Sequence, residues 1–308
     1  MRRRLSPAHP LGVALRGVAM GAADLVPGVS GGTMALILGI YPRLIGALGS
    51  LSRARPWRLL LQGRPLRAAR AIDAGFLLAL AAGIGVALLS LPGLLHGLLD
   101  RYPAGVYAVF FGLIAASAWV VVGHIRGRRR VALGWALVGA LGAFLLVGAT
   151  PRTTPDGPWI LAAAGALAVS ALLLPGVSGA FVLVLLGKYD TVLAALSRLD
   201  PAVIAPFAAG MVVGLVTFSR VLAAALRSYP TSVLGFLAGV LVGALRKVWP
   251  WQAADGPTRV ATLPPSGADL AVGLALALAA AALVVLLERA GASQPRLGGE
   301  APPPGPPS

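Results

Sequence analysis

The sequence predicts an all-α, polytopic membrane protein built from two related halves, and three observations carry that prediction. Of its 308 residues, 57% are hydrophobic and only 12% charged, with a mean hydropathy of +0.85; an average soluble domain is about 25% charged. Apolar runs such as Ala74–Leu99 and Gly267–Leu287 are long enough to cross roughly 30 Å of hydrocarbon at about 1.5 Å per helical residue. The pentapeptide Pro-Gly-Val-Ser-Gly occurs twice, once in each half.

In chain order, a short apolar run, Leu11–Ala23, meets the breaker Val26–Gly32 and continues as Thr33–Leu51. Together they read as one broken or re-entrant helix hairpin over 11–51. After the Arg-rich loop Ser52–Ala71, transmembrane helices at about 73–99, 103–123 and 131–149 complete a first repeat over 1–150. The polar stretch Thr150–Pro158 separates the halves. The second repeat, 151–290, begins with a re-entrant motif over 159–196 and continues with helices at about 201–226, 230–247 and 267–287. Residues 291–308, rich in Pro and Gly, read as a disordered tail.

The duplication is visible residue by residue. A shift of 148 positions places Pro27, Gly28, Val29, Ser30 and Gly31 on Pro175, Gly176, Val177, Ser178 and Gly179. It also places Leu38, Gly39 and Tyr41 on Leu186, Gly187 and Tyr189, giving eight identities in fifteen positions. Each half has three spans if the motif segment re-enters and five if it crosses twice. Both counts are odd, so the second repeat is inverted relative to the first. With both termini in the cytoplasm, 19 of the 26 Lys and Arg lie on the cytoplasmic side, as the positive-inside rule requires of a cytoplasmic (inner) membrane protein.

That rule also accounts for the net charge of +16. The cations cluster between apolar runs (Arg2–Arg4, Arg53–Arg70, Arg126–Arg130), whereas a nucleic-acid surface interleaves them with aromatic residues. No nucleic-acid partner is therefore expected. There is no cysteine, hence no disulfide framework or thiolate metal site. The three histidines, His9, His96 and His124, lie away from both motifs, and no Walker A sequence or cluster with metal-ligand spacing is present. Neither Ser30 nor Ser178 has an evident general base in sequence, so the chain does not read as an enzyme, and no cofactor or metal is expected.

The motif itself points to anions. Pro cannot continue a helical hydrogen-bond ladder, and Gly permits backbone conformations closed to other residues, so each Pro-Gly-Val-Ser-Gly ends one helix and starts another. Ser30 and Ser178 suit the N-cap of the new helix. Within a bilayer such a break is tolerated only where it is buried in protein or lines a wet cavity. Two inverted breaks bring two half-helix N-termini together, each with free N–H groups suited to an anion, a recurring arrangement in secondary transporters. Asp24, an acidic residue next to the first motif, is expected below the membrane surface, where a carboxylate is costly; it suits either proton or sodium coupling or the capping of neighbouring backbone amides. Its counterpart is Leu172, so the duplicated site is asymmetric. Tyr41 and Tyr189 are expected where each motif helix ends. Arg246 and Lys247 form the strongest basic pair on the outer side.

Four stretches carry a resemblance. Gly21-Ala22-Ala23-Asp24-Leu25-Val26-Pro27-Gly28-Val29-Ser30-Gly31-Gly32-Thr33, with Gly39-Ile40-Tyr41, resembles the N-terminal signature of the polyprenyl-phosphate (undecaprenyl-phosphate) transporter family. Phe110–Ile114, Leu174–Gly179 with Gly187-Lys188-Tyr189, and Gly243–Pro250 are similar to that family in the same order. The resemblance implies a flippase that returns undecaprenyl phosphate, the carrier lipid of cell-wall synthesis, from the outer to the cytoplasmic leaflet. It implies substrate binding by Asp24, Ser30, Gly31, Gly32, Thr33, Ser178, Gly179 and Arg246. Ala180 and Ala244 stand where the family more often has a hydroxyl residue, so no contact is expected from them. The residues alone leave two other readings open: a channel or secondary carrier for a small anion, and a membrane-embedded lipid phosphatase.

Overall fold

The computed structural model describes residues 9–25, 29–125, 127–155, 157–255 and 258–291. Val26, Pro27 and Gly28 of the first motif, the basic Arg2–Arg4 and the tail expected to be disordered (from 292 on) lie outside the described residues. The first half contains α1 (Pro10–Asp24), α2 (Gly31–Ile37), α3 (Tyr41–Ser50), α4 (Ala54–Leu61), α5 (Pro65–Ala71), α6 (Ala74–Ser90), α7 (Pro92–Arg101), α8 (Pro103–Gly123) and α9 (Arg129–Gly148). The second contains α10 (Pro158–Leu173), α11 (Gly179–Leu185), α12 (Tyr189–Arg198), α13 (Pro201–Ser228), α14 (Pro230–Ala244) and α15 (Gly267–Gly291). Among the described residues, four helices (α8, α9, α13 and residues 267–286 of α15) are long and apolar enough to cross a membrane. The count rises to as many as seven if the bent pairs α2–α3, α5–α6 and α11–α12 each form one span.

Three features depart from the sequence reading. The span expected at 73–99 is two helices, because Pro92 starts a new one at its first position, where its missing N–H costs nothing. The region after α14 is not wholly helical: β1 (Gln252–Asp255) pairs antiparallel with β2 (Thr258–Ala261), Gln252 opposite Ala261 and Asp255 opposite Thr258. Strands of four residues leave almost no periodicity to read. Each motif segment contains a second turn, so Tyr41 and Tyr189 begin α3 and α12 rather than ending the motif helices.

That second turn explains the repeated Gly-x-Tyr. Gly39 and Gly187 have φ of +69° and +64°. At the end of α2, Ile40 N–H donates to Ala35 O and Gly39 N–H to Leu36 O; at the end of α11, Lys188 N–H donates to Leu183 O and Gly187 N–H to Val184 O. These are paired Schellman caps, which need a left-handed residue where glycine meets no Cβ penalty. The chain then bends by 120° into α3 and by 110° into α12.

Small residues set the helix packing. In the first half, α1 lies along α6: Gly17 faces the Leu80 carbonyl and Gly83 faces the Ala14 carbonyl so closely that a Cβ on either would collide. In the second, α10 lies along α13 in the same way, with Gly165 against the Phe207 carbonyl and Gly210 against the Ala162 carbonyl. Ala14 and Gly17 are the shift-related partners of Ala162 and Gly165, so the two halves repeat one packing solution. Between halves, Gly235, Gly239 and Gly243 of α14 meet the carbonyls of Ala132, Ala136 and Ala140 of α9, and Gly112 of α8 meets that of Ala277 in α15. Lipid tails supply no hydrophobic force between helices, so close backbone approach along small residues holds them together.

Replacing Gly239 by Val drives a branched side chain into the Ala136 carbonyl and is expected to cost about 1–3 kcal/mol through overpacking. Thermal unfolding of the purified protein should show a lowered midpoint for Gly239→Val. Gly142→Ala, which faces open space on the same α9, should leave the midpoint in place.

Candidate functional site

The second break begins where α10 ends. Leu174 leaves the helix with φ −86° and ψ 122°, and Pro175-Gly176 turns the chain, with Gly176 at φ +88°. A Cβ at Gly176 would sit 3.3 Å from Val240 O, Leu241 Cα and Ala244 Cβ of α14, so conformation and packing both demand glycine here. Ser178 is the N-cap of α11, its Oγ accepting from Phe181 N–H at 3.4 Å.

The first break starts α2 in the same manner. Ser30 is the N-cap, its Oγ accepting from Gly32 N–H at 3.2 Å and its carbonyl from Thr33 N–H at 2.9 Å. Asp24 Oδ1 accepts from Gly31 N–H at 2.6 Å. The leading amides of α2 are thus engaged by groups of the chain itself. Asp24 lies against the first turn of α2.

The two breaks touch. Gly176 N–H donates to Thr33 Oγ1 at 2.8 Å, joining residues 143 apart in sequence. Tyr41 Oη donates to Leu173 O at 2.7 Å, and a Cβ on Gly32 would lie 2.8 Å from Leu172 O. Of the residues singled out in sequence, Asp24, Ser30, Gly31, Gly32 and Thr33 form one cluster against residues 172–176. Ser178 and Gly179 follow two and three residues after Gly176.

Arg246 is not in that cluster. It is exposed, its Nη1 donating to Phe144 O at 3.4 Å and its guanidinium stacking 4.4 Å over the Phe144 ring of α9. Its neighbour Lys247 takes the inner position, with Nζ 4.5 Å over the Phe181 ring. Lys247 also lines a small cavity with Gly176, Val177, Phe181 and the α9 residues Ala143, Leu146 and Val147. The sequence signalled the basic pair. Which member faces inward depends on α14 ending at Ala244 and turning afterwards.

The sequence matches the undecaprenyl phosphate translocase-like family over residues 20–261. The chain belongs to that family. A polyprenyl-phosphate transporter of Vibrio cholerae serotype O1 is 36% identical over 295 residues, spanning 89% of this chain and 95% of the relative. No solved structure matches. With its long apolar helices, this member of the family is a multi-pass membrane protein.

Access to the cluster is narrow. Ser30 and Thr33 are 0% and 1% exposed. The cavity beside Gly176 and Lys247 measures about 10 Å³, room for about one water molecule. No group of three or more His, Asp and Glu suited to a metal occurs among the described residues. The halves also differ at matched positions: Leu172 stands where the first half has Asp24, and Tyr189 is 39% exposed while Tyr41 is 2% exposed.

The joint can be tested directly. Thr33→Val removes the acceptor of a buried N–H and should cost about 1–3 kcal/mol for the unsatisfied donor. Thr33→Ser keeps the oxygen and should cost less. Thermal midpoints of the two variants, compared with the parent, check the order.

Proposed function

We propose that this protein is a flippase that carries undecaprenyl phosphate from the outer to the cytoplasmic leaflet, holding the phosphate where the two breaks meet. The observation that carries the reading is the contact of two broken helices inside an apolar helix bundle, with Asp24 and Lys247 beside it. The named activity of the Vibrio cholerae relative supports the choice of lipid. The repeated α1–α6 and α10–α13 packing supports two repeats, which we take as inverted, with both termini in the cytoplasm of a bacterial cell.

The head group is held by the first turns of α2 and α11, through Ser30, Gly31, Gly32, Thr33, Ser178 and Gly179. Lys247 neutralises phosphate charge from the outer side, and Arg246 attracts the anion towards the opening. A phosphate needs more space than one water, so loading requires α9 to part from α11, where the small cavity begins. The isoprenoid tail stays in lipid throughout, which removes the cost of carrying it through the protein.

Asp24 couples the cycle to protons. As a carboxylate it holds Gly31 N–H and repels a phosphate. A proton on Asp24 removes the charge and frees that N–H for a phosphate oxygen. Loss of the proton to the cytoplasm restores the Asp24–Gly31 bond and expels the head group. Inward proton and lipid movement are thereby linked, with sodium as the alternative coupling ion.

Purified protein in liposomes should move labelled polyprenyl phosphate between leaflets, faster with an inward proton gradient. Asp24→Asn should abolish the stimulation by the gradient, and Lys247→Ala should slow transport by about tenfold, the loss of roughly 1.4 kcal/mol of charge-assisted binding. No lipid movement under any ion gradient overturns the reading. Flux of a small anion without lipid would favour a soluble-anion carrier, and phosphate release lost on Ser30→Ala would favour a phosphatase.

A further inference from the structure

A second basic site lies away from both motifs. Where α3 runs into α13, Gly49 packs on the α13 backbone, its position for a Cβ lying 3.3 Å from Ser219 O and 3.4 Å from Ala223 Cβ. Beside that contact lies an open cavity of about 520 Å³, lined by Gly49, Ser52, Ala54, Ala223 and the exposed Arg53, Arg220 and Arg227. Arg220 and Arg227 are seven residues apart, two helical turns on one face of α13, and so form a ladder about 10 Å long. Arg53 faces them as the N-cap residue of α4. No carboxylate lines the cavity, and among the described residues none of these three arginines makes an ion pair.

Three unpaired guanidiniums in one concavity repel one another, and a cavity of this kind is stabilised by an anion. Arginine presents a planar fork of donors that matches phosphate oxygens in pairs. The depth of the cavity follows from its rim. α4 exposes Trp57, Leu60 and Leu61 while carrying Arg55 and Arg58, the make-up of a helix lying in the membrane interface. The loop that contains it, with Arg53, Arg55, Arg58, Arg64, Arg67 and Arg70, is the most cationic stretch of the chain and so faces the cytoplasm. The mouth is therefore level with the phosphates of the inner leaflet.

We propose that Arg53, Arg220 and Arg227 form a site for a terminal phosphate group at the cytoplasmic interface, filled by the phosphomonoester head group of a lipid or by free phosphate. The site is separate from the joined breaks, and its existence does not depend on the transport reading.

Because the chain has no cysteine, Ser52→Cys places a single thiol in the cavity wall. The test follows the rate of its maleimide labelling in the otherwise intact protein, in nanodiscs of neutral lipid. Three probes are added in turn: farnesyl phosphate, inorganic phosphate, and phosphatidylglycerol in the nanodisc. Farnesyl phosphate should slow labelling at least fivefold, and Arg220→Gln with Arg227→Gln should weaken that protection at least tenfold. Arg220→Lys with Arg227→Lys, which keeps the charge, should retain more of it; this pair decides the matter if the Gln variant fails to fold. Protection by farnesyl phosphate alone assigns the site to a lipid head group, and equal protection by inorganic phosphate assigns it to the phosphate irrespective of its source. No protection by either, protection by phosphatidylglycerol only, or protection that survives loss of both arginines overturns the proposal.

Discussion

Every broken helix in a bilayer must find partners for the backbone groups that the break exposes, and here side chains of the first half serve both breaks: Asp24 and Ser30 take the amides of the first, Thr33 and Tyr41 the backbone of the second. Water is absent from the hydrocarbon core, so an unpaired amide there costs several kcal/mol. Gly176 N–H reaches Thr33 Oγ1, and Tyr41 Oη reaches Leu173 O. These bonds bring the start of α2 against the end of α10 and hold the halves in register.

Close helix contact is the second condition. The joint can form only if α10 and α14 approach within backbone distance of their neighbours, and this is what the glycines at 165, 210, 235, 239 and 243 allow. The same economy appears in α1 and α6. Gly17 and Gly165, related by the shift of 148 positions, both stand where a Cβ would collide with a carbonyl of the neighbouring helix, whereas a lipid-facing side chain meets only fluid tails.

Within this repeated frame the chemistry is unequal. Asp24 holds Gly31 N–H in the first half, and Leu172 offers nothing comparable in the second. Lys247 stands beside the second break. One break thus carries its own negative charge and the other has a positive charge near it.

The sequence by itself determined the class of protein, its several apolar helices, its family and the position of both breaks. Those features are local: hydropathy over about twenty residues, and glycine or proline where the backbone must turn. It also marked Asp24, Ser30, Gly31, Gly32 and Thr33, which are close in the chain and stay close in the fold. Tertiary structure alone decided that Thr33 bonds to Gly176, that Lys247 rather than Arg246 faces the second break, and that Arg53 meets Arg220 and Arg227. It also decided that the stretch 73–99 divides and that a β-hairpin follows α14. Each of these depends on which distant backbone lies alongside, a matter of helix crossing and packing that no local pattern of residues records.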